Sequence, residues 1–377
     1  VNLNWRKLNI NKVAIIIGTR PDIIKMWPVH DALKKYDESI KTILIHSGQH
    51  DILAQQAQRS FSLIPDYTCR VLDDDKIRLG DLVSRLISQF TIAFYEFKPD
   101  LVLVHGDTST AFSAATAAFL QNIPVGHIEA GLRTSRFEYP FPEEGYRRAI
   151  SRFTTLHFAP TAKSAQNLRE ENINKNVYVT GNTIVDSLDH ILSITPPYYK
   201  IHKSIVLITC HRTESYGKPL RSFCSYVELL ASKNPSIMFL WPVHSNPKIK
   251  ETVGSLTLFN KSNITLTEPM DYDVFTTLLA KSDIVITDSG GVMEEAAVLG
   301  IPTAVLRDET ERPEVLDVDN VVLTGYNFEY LNKLVQSWID NPPKRKCKHN
   351  KIFGDGTAGV EIKDIINAYF NKKSNSI

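Results

Sequence analysis

Short apolar runs rich in β-branched residues alternate along this chain with longer stretches whose apolar positions recur at helical spacing. In the first half the apolar runs fall at Val13–Ile17, Ile40–Ile45, Leu101–Val104 and Val125–Ile128, and the helical spacing at Ile23–Lys35, Ile77–Glu96 and Ser109–Leu120. Runs that are apolar at successive positions predict strands buried on both faces, and their alternation with helical segments predicts parallel βαβ units. A Pro196-Pro197 break interrupts the rhythm, because two prolines mark an extended connector rather than a helix interior. The pattern then restarts, with strands expected at Ser204–Thr209, Ile237–Trp241, Ile264–Leu266, Ile284–Thr287 and Thr303–Val305. The expected fold is therefore α/β, with two Rossmann-like doubly wound domains facing a cleft, residues 1–183 and 184–356. A last amphipathic pattern, Gly359–Tyr369 within residues 357–377, is expected to cross back to the first domain.

Length agrees with this division, since 377 residues exceed one ordinary core and suit two domains of roughly 150 to 200 residues. A net charge of +1 provides no strong field toward nucleic acid or an acidic membrane, so neither is expected as a partner. Cys69, Cys210, Cys224 and Cys347 are too dispersed for zinc knuckles or a disulfide framework and read as free thiols of a reducing compartment. No metal site is expected. The first residues, Val1 to Lys7, lack the apolar run of a signal peptide, and no stretch reaches the about 18 apolar residues of a membrane span. A cytoplasmic location is the expectation.

Chemistry concentrates just after the expected strands, where an open α/β sheet places its ligands. Gly18-Thr-Arg20-Pro-Asp22 leads into a helix bearing Lys25, so a tight turn, a helix start and two cations meet there. The segment lacks the Gly-Lys-Ser/Thr of a Walker A loop, and a solvated Arg and Lys at an ordinary strand-to-helix turn fit it as well. His105-Gly-Asp107 follows the third of these strands and His127-Ile-Glu129-Ala-Gly131-Leu-Arg133 the fourth. Carboxylates at strand mouths suit acid–base work, because burial and neighbouring cations set their protonation. Asp107 also fits the N-cap of the following helix, and Glu129 also fits a salt bridge to Arg133. Glu143 and Glu144, after Pro142, fit either acid–base work or the first turn of a helix, where the dipole favours them.

In the second half, Cys210-His211-Arg212 and Asp288-Ser289-Gly290-Gly291 each follow a strand, and the latter opens a helix carrying Glu294 and Glu295. Ser289, Gly290 and Gly291 can offer hydroxyl and backbone donors to a diphosphate, and a helix glutamate can take two ribose hydroxyls. His211 can neutralise a phosphate leaving group or serve as a loop's polar contact. Taken together, these groups point to a nucleotide-linked substrate.

In this order over nearly the whole chain, Gly18 to Met26, His105 to Thr108, His127 to Arg133, Pro142-Glu-Glu144, Thr180-Gly-Asn-Thr183, His211-Arg212, Pro242 to Pro247, Asp288 to Gly291, Glu294-Glu295, Thr310 to Glu314 and Gly354-Asp-Gly356 occur. In these motifs the chain resembles the non-hydrolysing UDP-N-acetylglucosamine 2-epimerases. The resemblance implies a glycosyltransferase-B type fold, a homodimer, and interconversion of UDP-N-acetylglucosamine and UDP-N-acetylmannosamine, or of a closely related UDP-N-acetylhexosamine pair, for surface polysaccharides. It implies anti elimination of UDP to 2-acetamidoglucal, then re-addition after protonation on the other face, without a cofactor. By the same resemblance Asp107, Glu129 and Glu143 are acid–base carboxylates, His211 assists the β-phosphate, and Lys25 lies near the reacting sugar. Arg20, Phe275, Ser289, Gly290, Gly291, Glu295 and Arg312 are then the groups that hold UDP. The first domain becomes the sugar and acid–base side, the second the UDP-binding side.

Three departures stand out. Met270 replaces a glutamine on the uridine side, and Thr213 stands where an arginine often follows His-Arg. Val71-Leu-Asp-Asp-Asp-Lys76 occupies a stretch where many bacterial members carry a Met-Gln-Pro-Gly type segment for a second, activating UDP-sugar. Three successive aspartates repel a diphosphate, so weak or absent activation by substrate is expected. A hydrolysing 2-epimerase and a glycosyltransferase of the same architecture are the alternatives. Pro21-Asp22-Ile23 departs from the hydrolysing branch, whose loop carries alanine there, and the three carboxylates argue against simple transfer.

Overall fold

The computed structural model describes residues 10–36, 39–49, 52–71, 77–195, 204–210, 217–244, 246–254, 261–318, 320–345 and 353–374. Among these, two parallel sheets are built from strands that are nearly all short and apolar. The first contains β1 (Asn11–Ile17), β2 (Ile40–His46), β3 (Tyr67–Thr68), β4 (Leu101–His105), β5 (Val125–Ile128), β6 (Leu156–Ala159) and β7 (Val177–Val179), in the order β3-β2-β1-β4-β5-β6-β7. The second contains β8 (Ile205–Thr209), β9 (Met238–Pro242), β10 (Ile264–Thr267), β11 (Ile284–Thr287), β12 (Thr303–Val305) and β13 (Val321–Leu323), in the order β10-β9-β8-β11-β12-β13. Each order reverses once, between β1 and β4 and between β8 and β11. Register at these reversals pairs Val13 with Leu101 and Ile284 with Val206.

Helices join the strands in chain order: α1 (Arg20–Tyr36), α2 (Ile52–Ser60), α3 (Leu79–Phe97), α4 (Ser109–Leu120), α5 (Glu143–Phe153), α6 (Ala162–Glu170), α7 (Thr183–Ile194), α8 (Lys218–Lys233), α9 (Pro247–Gly254), α10 (Tyr272–Lys281), α11 (Gly290–Val298), α12 (Phe328–Asp340) and α13 (Ala358–Ser374). The chain divides into two compact units, Val1–Ser187 with Gly354–Ile377, and Leu188–Phe353. The division falls inside α7. The Pro196-Pro197 break lies outside the described residues.

The first unit's core packs Ala14, Ile16, Val102 and Val104 of β1 and β4 against Phe90 of α3 and Ala114, Ala117 and Ala118 of α4. Small alanines give α4 its helical preference and let it lie close under the sheet. In the second unit Val206, Ile208, Phe239 and Trp241 pack against Phe223 and Val227 of α8. A smaller cluster on that unit joins Leu207, Phe275, Leu279, Val285 and Ala296.

One local device fixes α1, the helix that carries Lys25. Pro28 lies inside it and has no N–H, which removes the bond that the Ile24 carbonyl would otherwise accept. Ser187 Oγ donates to that carbonyl at 2.6 Å, and Ser187 is fully buried. The C-terminal helix α13 packs on α1 at the same place. A Cβ at Gly359 would lie 2.6 Å from the Pro28 carbonyl oxygen, so only glycine permits the approach, and Asp186 Oδ1 accepts the Gly359 N–H at 2.9 Å.

Candidate active site

At the reversal in the first sheet, the loops leaving β1 and β4 diverge, and the loop leaving β5 lies next to that of β4. Ligands of open α/β sheets occupy this crevice at the strands' carboxyl ends. Three of the sequence motifs end here because each follows one of these strands.

Lys25, on the second turn of α1, donates through Nζ to Glu129 Oε2. Both are buried, with side-chain exposures of 3% and 6%, which removes the reading of Lys25 as a solvated turn residue. Glu129 is the first residue after β5 and adopts φ +64°, a left-handed conformation that a glutamate rarely takes. Non-glycine residues held there cost about 1–3 kcal/mol and cluster at functional sites. Gly131 completes the turn at φ +89°, and a Cβ there would lie 2.1 Å from the Ser164 carbonyl oxygen.

Glu129 faces a second group, His105, the last residue of β4. His105 Nε2 is 3.7 Å from Glu129 Oε1, and Nδ1 is 3.1 Å from Asp22 Oδ1. Burial opposes a charge on this imidazole, yet the Glu129 and Asp22 carboxylates outweigh it and push its pKa up to about 9. Asp22 is itself held by Thr19 N and Thr19 Oγ1, both at 3.0 Å. His127 behaves oppositely. Burial without an adjacent carboxylate lowers its pKa to about 3, so the ring is neutral and donates from Nε2 to the Gly106 carbonyl at 2.7 Å. That bond fixes the turn between His105 and Asp107.

Asp107 does not cap α4. Thr108 does, its Oγ1 accepting from Ala111 N at 3.1 Å, and Asp107 is left facing Arg147 of α5. Arg147 donates from Nη1 to Asp107 Oδ2 and from Nε to Glu144 Oε2 at 2.9 Å. The second expected alternative, a Glu129–Arg133 salt bridge, is likewise corrected. Arg133 instead forms a two-pronged bridge to Glu171, at 2.7 and 2.8 Å, because the left-handed turn directs residues 129 and 133 to different neighbours.

The paired glutamates at the start of α5 separate cleanly. Glu144 is fully buried and accepts from Thr134 N, Arg147 Nε and Arg148 Nε, so its oxygens are engaged in holding α5. Glu143 is half-buried at the first position of the helix. Arg147 received no role from the sequence, although its place three residues after Glu144 and four after Glu143 puts it on their helix face. Asp22 and His105 lie within the sequence motifs but carry no role that the sequence alone assigns. The signal for His105 was present: a histidine closing an otherwise apolar run.

In the second unit, Ser289 caps α11, its Oγ accepting from Val292 N at 3.5 Å. Thr287 Oγ1 accepts from Ser289 N at 2.9 Å, tying the cap to β11. A Cβ at Gly291 would meet nothing within 4 Å, whereas one at Gly290 would approach Arg312 Nη1 to 3.1 Å, so Gly291 faces open space and Gly290 lets a guanidinium lie against the helix N-terminus. Arg312 donates to Glu294 Oε1 and Glu311 Oε1, while Arg307 donates to Glu311 Oε2 at 3.0 Å and to the Asp288 carbonyl at 2.9 Å. The network places two guanidinium groups beside Gly290. Glu295 accepts from Tyr272 OH at 2.9 Å. The Phe275 ring is packed in the core, and its N–H donates to the Asp271 carbonyl at 2.9 Å.

The structure thus brings together Lys25 with Glu129, and gathers Ser289, Gly290, Gly291 and Arg312 around the start of α11. Arg20 is half-buried at the first position of α1. His211, Thr213 and Leu72 to Lys76, on which the leaving-group and activation expectations rest, lie outside the described residues. Among the described residues no helix is long and apolar enough to cross a membrane.

Comparison with known proteins identifies the family. The profile of the UDP-N-acetylglucosamine 2-epimerase family matches residues 32–367. A UDP-N-acetylglucosamine 2-epimerase of Yersinia pestis is 39% identical over 371 residues, covering 93% of this chain and 97% of its own. One of Campylobacter jejuni is 36% identical over 376 residues, covering 95% and 97%. The crystal structure of the Neisseria meningitidis 2-epimerase bound to UDP-GlcNAc superposes with a TM-score of 0.88 at 37% identity, covering 95% of this chain and 100% of that one. A glycosyltransferase from Streptomyces nogalater, 13% identical, shares the fold alone, with a TM-score of 0.59.

Proposed function

Because this chain belongs to the UDP-N-acetylglucosamine 2-epimerase family, we propose that it interconverts UDP-N-acetylglucosamine and UDP-N-acetylmannosamine without hydrolysis. The observation that carries the proposal is the pair of carboxylates on neighbouring strand-mouth loops, each with its own cation: Glu129 with Lys25, and Asp107 with Arg147. Epimerisation at C2 needs a proton removed from one face and returned to the other, which two separately held carboxylates supply and a glycosyl transfer does not require.

In the proposed reaction the C1–O bond breaks, UDP departs with the bonding electrons, and the C2 proton passes to a carboxylate. The product of this half is 2-acetamidoglucal. A proton then reaches C2 from the opposite face while a β-phosphate oxygen closes again on C1. Neither half transfers a hydride or an electron, so this route calls for no redox cofactor. Asp107, Glu129 and Glu143 are the acid–base candidates. Lys25 and Arg147 hold two of these carboxylates in place. Lys25 also provides positive charge near the developing diphosphate, with His211 assisting that group's departure and return. Ser289, Gly290, Gly291, Arg312 and Arg20 bind the diphosphate, Glu295 the ribose, and Phe275 lies on the uracil side.

The enzyme on this reading works in the cytoplasm as a homodimer and supplies activated N-acetylmannosamine to surface polysaccharide synthesis. Anion-exchange chromatography of a reaction started with UDP-N-acetylglucosamine tests it. A second UDP-sugar peak that equilibrates from either side supports the proposal, and stoichiometric free UDP with free hexosamine overturns it.

A further inference from the structure

His105 lies between two carboxylates contributed by different parts of the chain. Its ring is 4% exposed, with Nδ1 at 3.1 Å from Asp22 Oδ1 and Nε2 directed at Glu129 Oε1, 3.7 Å away. A neutral imidazole has one donor and one acceptor, so it would turn a lone pair toward one of the two anions. Only the imidazolium donates on both sides.

Asp22 is a fixed anchor, since Thr19 N, Thr19 Oγ1 and Thr108 Oγ1 all donate to its Oδ2 and leave Oδ1 for the histidine. Glu129 is divided between two cations: Lys25 takes Oε2, and His105 faces Oε1. Among the described residues, the charged and titratable groups around His105 are Asp22 and Lys25 from α1, Glu129 after β5, and His127 of β5, whose ring is neutral. Asp22, His105, Glu129 and Lys25 then form a buried row of alternating sign with no net charge. His105 Nε2 makes no hydrogen bond at its present distance, so its proton is aimed at Glu129 without being committed to it.

We propose that His105 is a positioning residue for Glu129: an imidazolium anchored on Asp22 whose charge lies beside Oε1 and favours the carboxylate form that exchanges the C2 proton. The inference rests on the reading of Glu129 as an acid–base group. Its physical basis is that a neighbouring cation stabilises a buried carboxylate. His105 does not touch the sugar on this account. Its loss therefore acts on turnover and on pH dependence rather than on binding.

The test uses the full-length enzyme. Nitrogen-15 spectra of histidine-labelled wild type, assigned with His105→Gln or Glu129→Gln protein, are expected to show both His105 ring nitrogens protonated at pH 7.5. Glu129→Gln should lower the midpoint of that ring's titration. His105→Gln is expected to reduce kcat tenfold or more, with KM for UDP-N-acetylglucosamine changed less than threefold. The acidic limb of kcat/KM should move to higher pH, because a carboxylate that loses a cation takes up a proton more readily. Asp22→Asn should shift the limb in the same direction by less. A neutral His105 at pH 7.5, a ring titration indifferent to Glu129→Gln, or a folded His105→Gln enzyme with wild-type kcat and pH profile overturns the proposal. The ring spectra need no turnover, so they decide the coupling even if His105→Gln fails to fold. A wild-type enzyme inactive on UDP-N-acetylglucosamine would overturn the proposed function instead.

Discussion

Lys25 and Glu129, 104 residues apart in the chain, meet as a buried ion pair between the second turn of α1 and the left-handed turn after β5. The pair links the loops leaving β1 and β5 across the intervening β4. Removing one partner from a buried pair typically costs about 3–5 kcal/mol, because the other charge is left in a poor solvent. Lys25→Met is therefore expected to lower the free energy of unfolding by about 3 kcal/mol in urea titrations. Its turnover should fall by at least about 100-fold if the ammonium also serves the leaving diphosphate.

Arg147 engages Asp107 and Glu144 through different nitrogens of one planar group. Lysine has no such fork, so Arg147→Lys must give up one contact. A fall in kcat of about 10- to 100-fold is expected, on the scale of disturbing one acid–base group. UDP affinity, measured by calorimetry, should stay within threefold of wild type, because UDP is assigned to the start of α11.

Ser187→Ala isolates the device beneath Lys25. It leaves the Ile24 carbonyl buried without its hydroxyl donor, opposite the proline that supplies none. The expected cost is about 1–3 kcal/mol in thermal or urea unfolding. KM for the UDP-sugar should be unchanged, and a large rise in KM would show that α1 had moved.

Gly131→Ala combines a left-handed backbone with a Cβ placed 2.1 Å from the Ser164 carbonyl. The backbone of α6 cannot yield cheaply. A destabilisation of about 3 kcal/mol or more is expected, a size seen for the strain and overpacking mechanisms. Differential scanning calorimetry reads it directly.

The histidines set opposite pH trends. His105 has a raised pKa, from 6.5 to about 9, so its contribution to stability is complete below pH 6.5 and is lost as pH rises toward 9. His127 has a lowered pKa, from 6.5 to about 3, so its neutral, buried form stabilises above pH 6.5 and the contribution is lost as pH falls toward 3. His157, lowered by burial to about 4, adds to the acid side. Urea midpoints across pH 4 to 10 should show a maximum near neutrality, and His127→Gln should flatten the acidic limb.

Most strands were legible because a parallel strand covered on both faces reads as an uninterrupted apolar run, as in Val13–Ile17 and Ile284–Thr287. The edge strand Tyr67–Thr68 was not, since two partly exposed residues have no pattern to display. The positions of the candidate motifs in the fold were legible for a related reason: each follows a buried strand. The pairing of charges was not. Proximity in sequence suggested Arg133 for Glu129, whereas the fold assigns Lys25, and gives Arg133 to Glu171. Asp107 finds Arg147 forty residues on, a contact set by the packing of α5 on α4 rather than by spacing.

Proton NMR of UDP-N-acetylglucosamine incubated with the enzyme in D2O tests the central claim most directly. The account predicts a new anomeric signal for UDP-N-acetylmannosamine and deuterium at C2 of both epimers, with both lost in Glu129→Gln. Epimerisation that retains the C2 proton, or release of free N-acetylmannosamine and UDP, would contradict it.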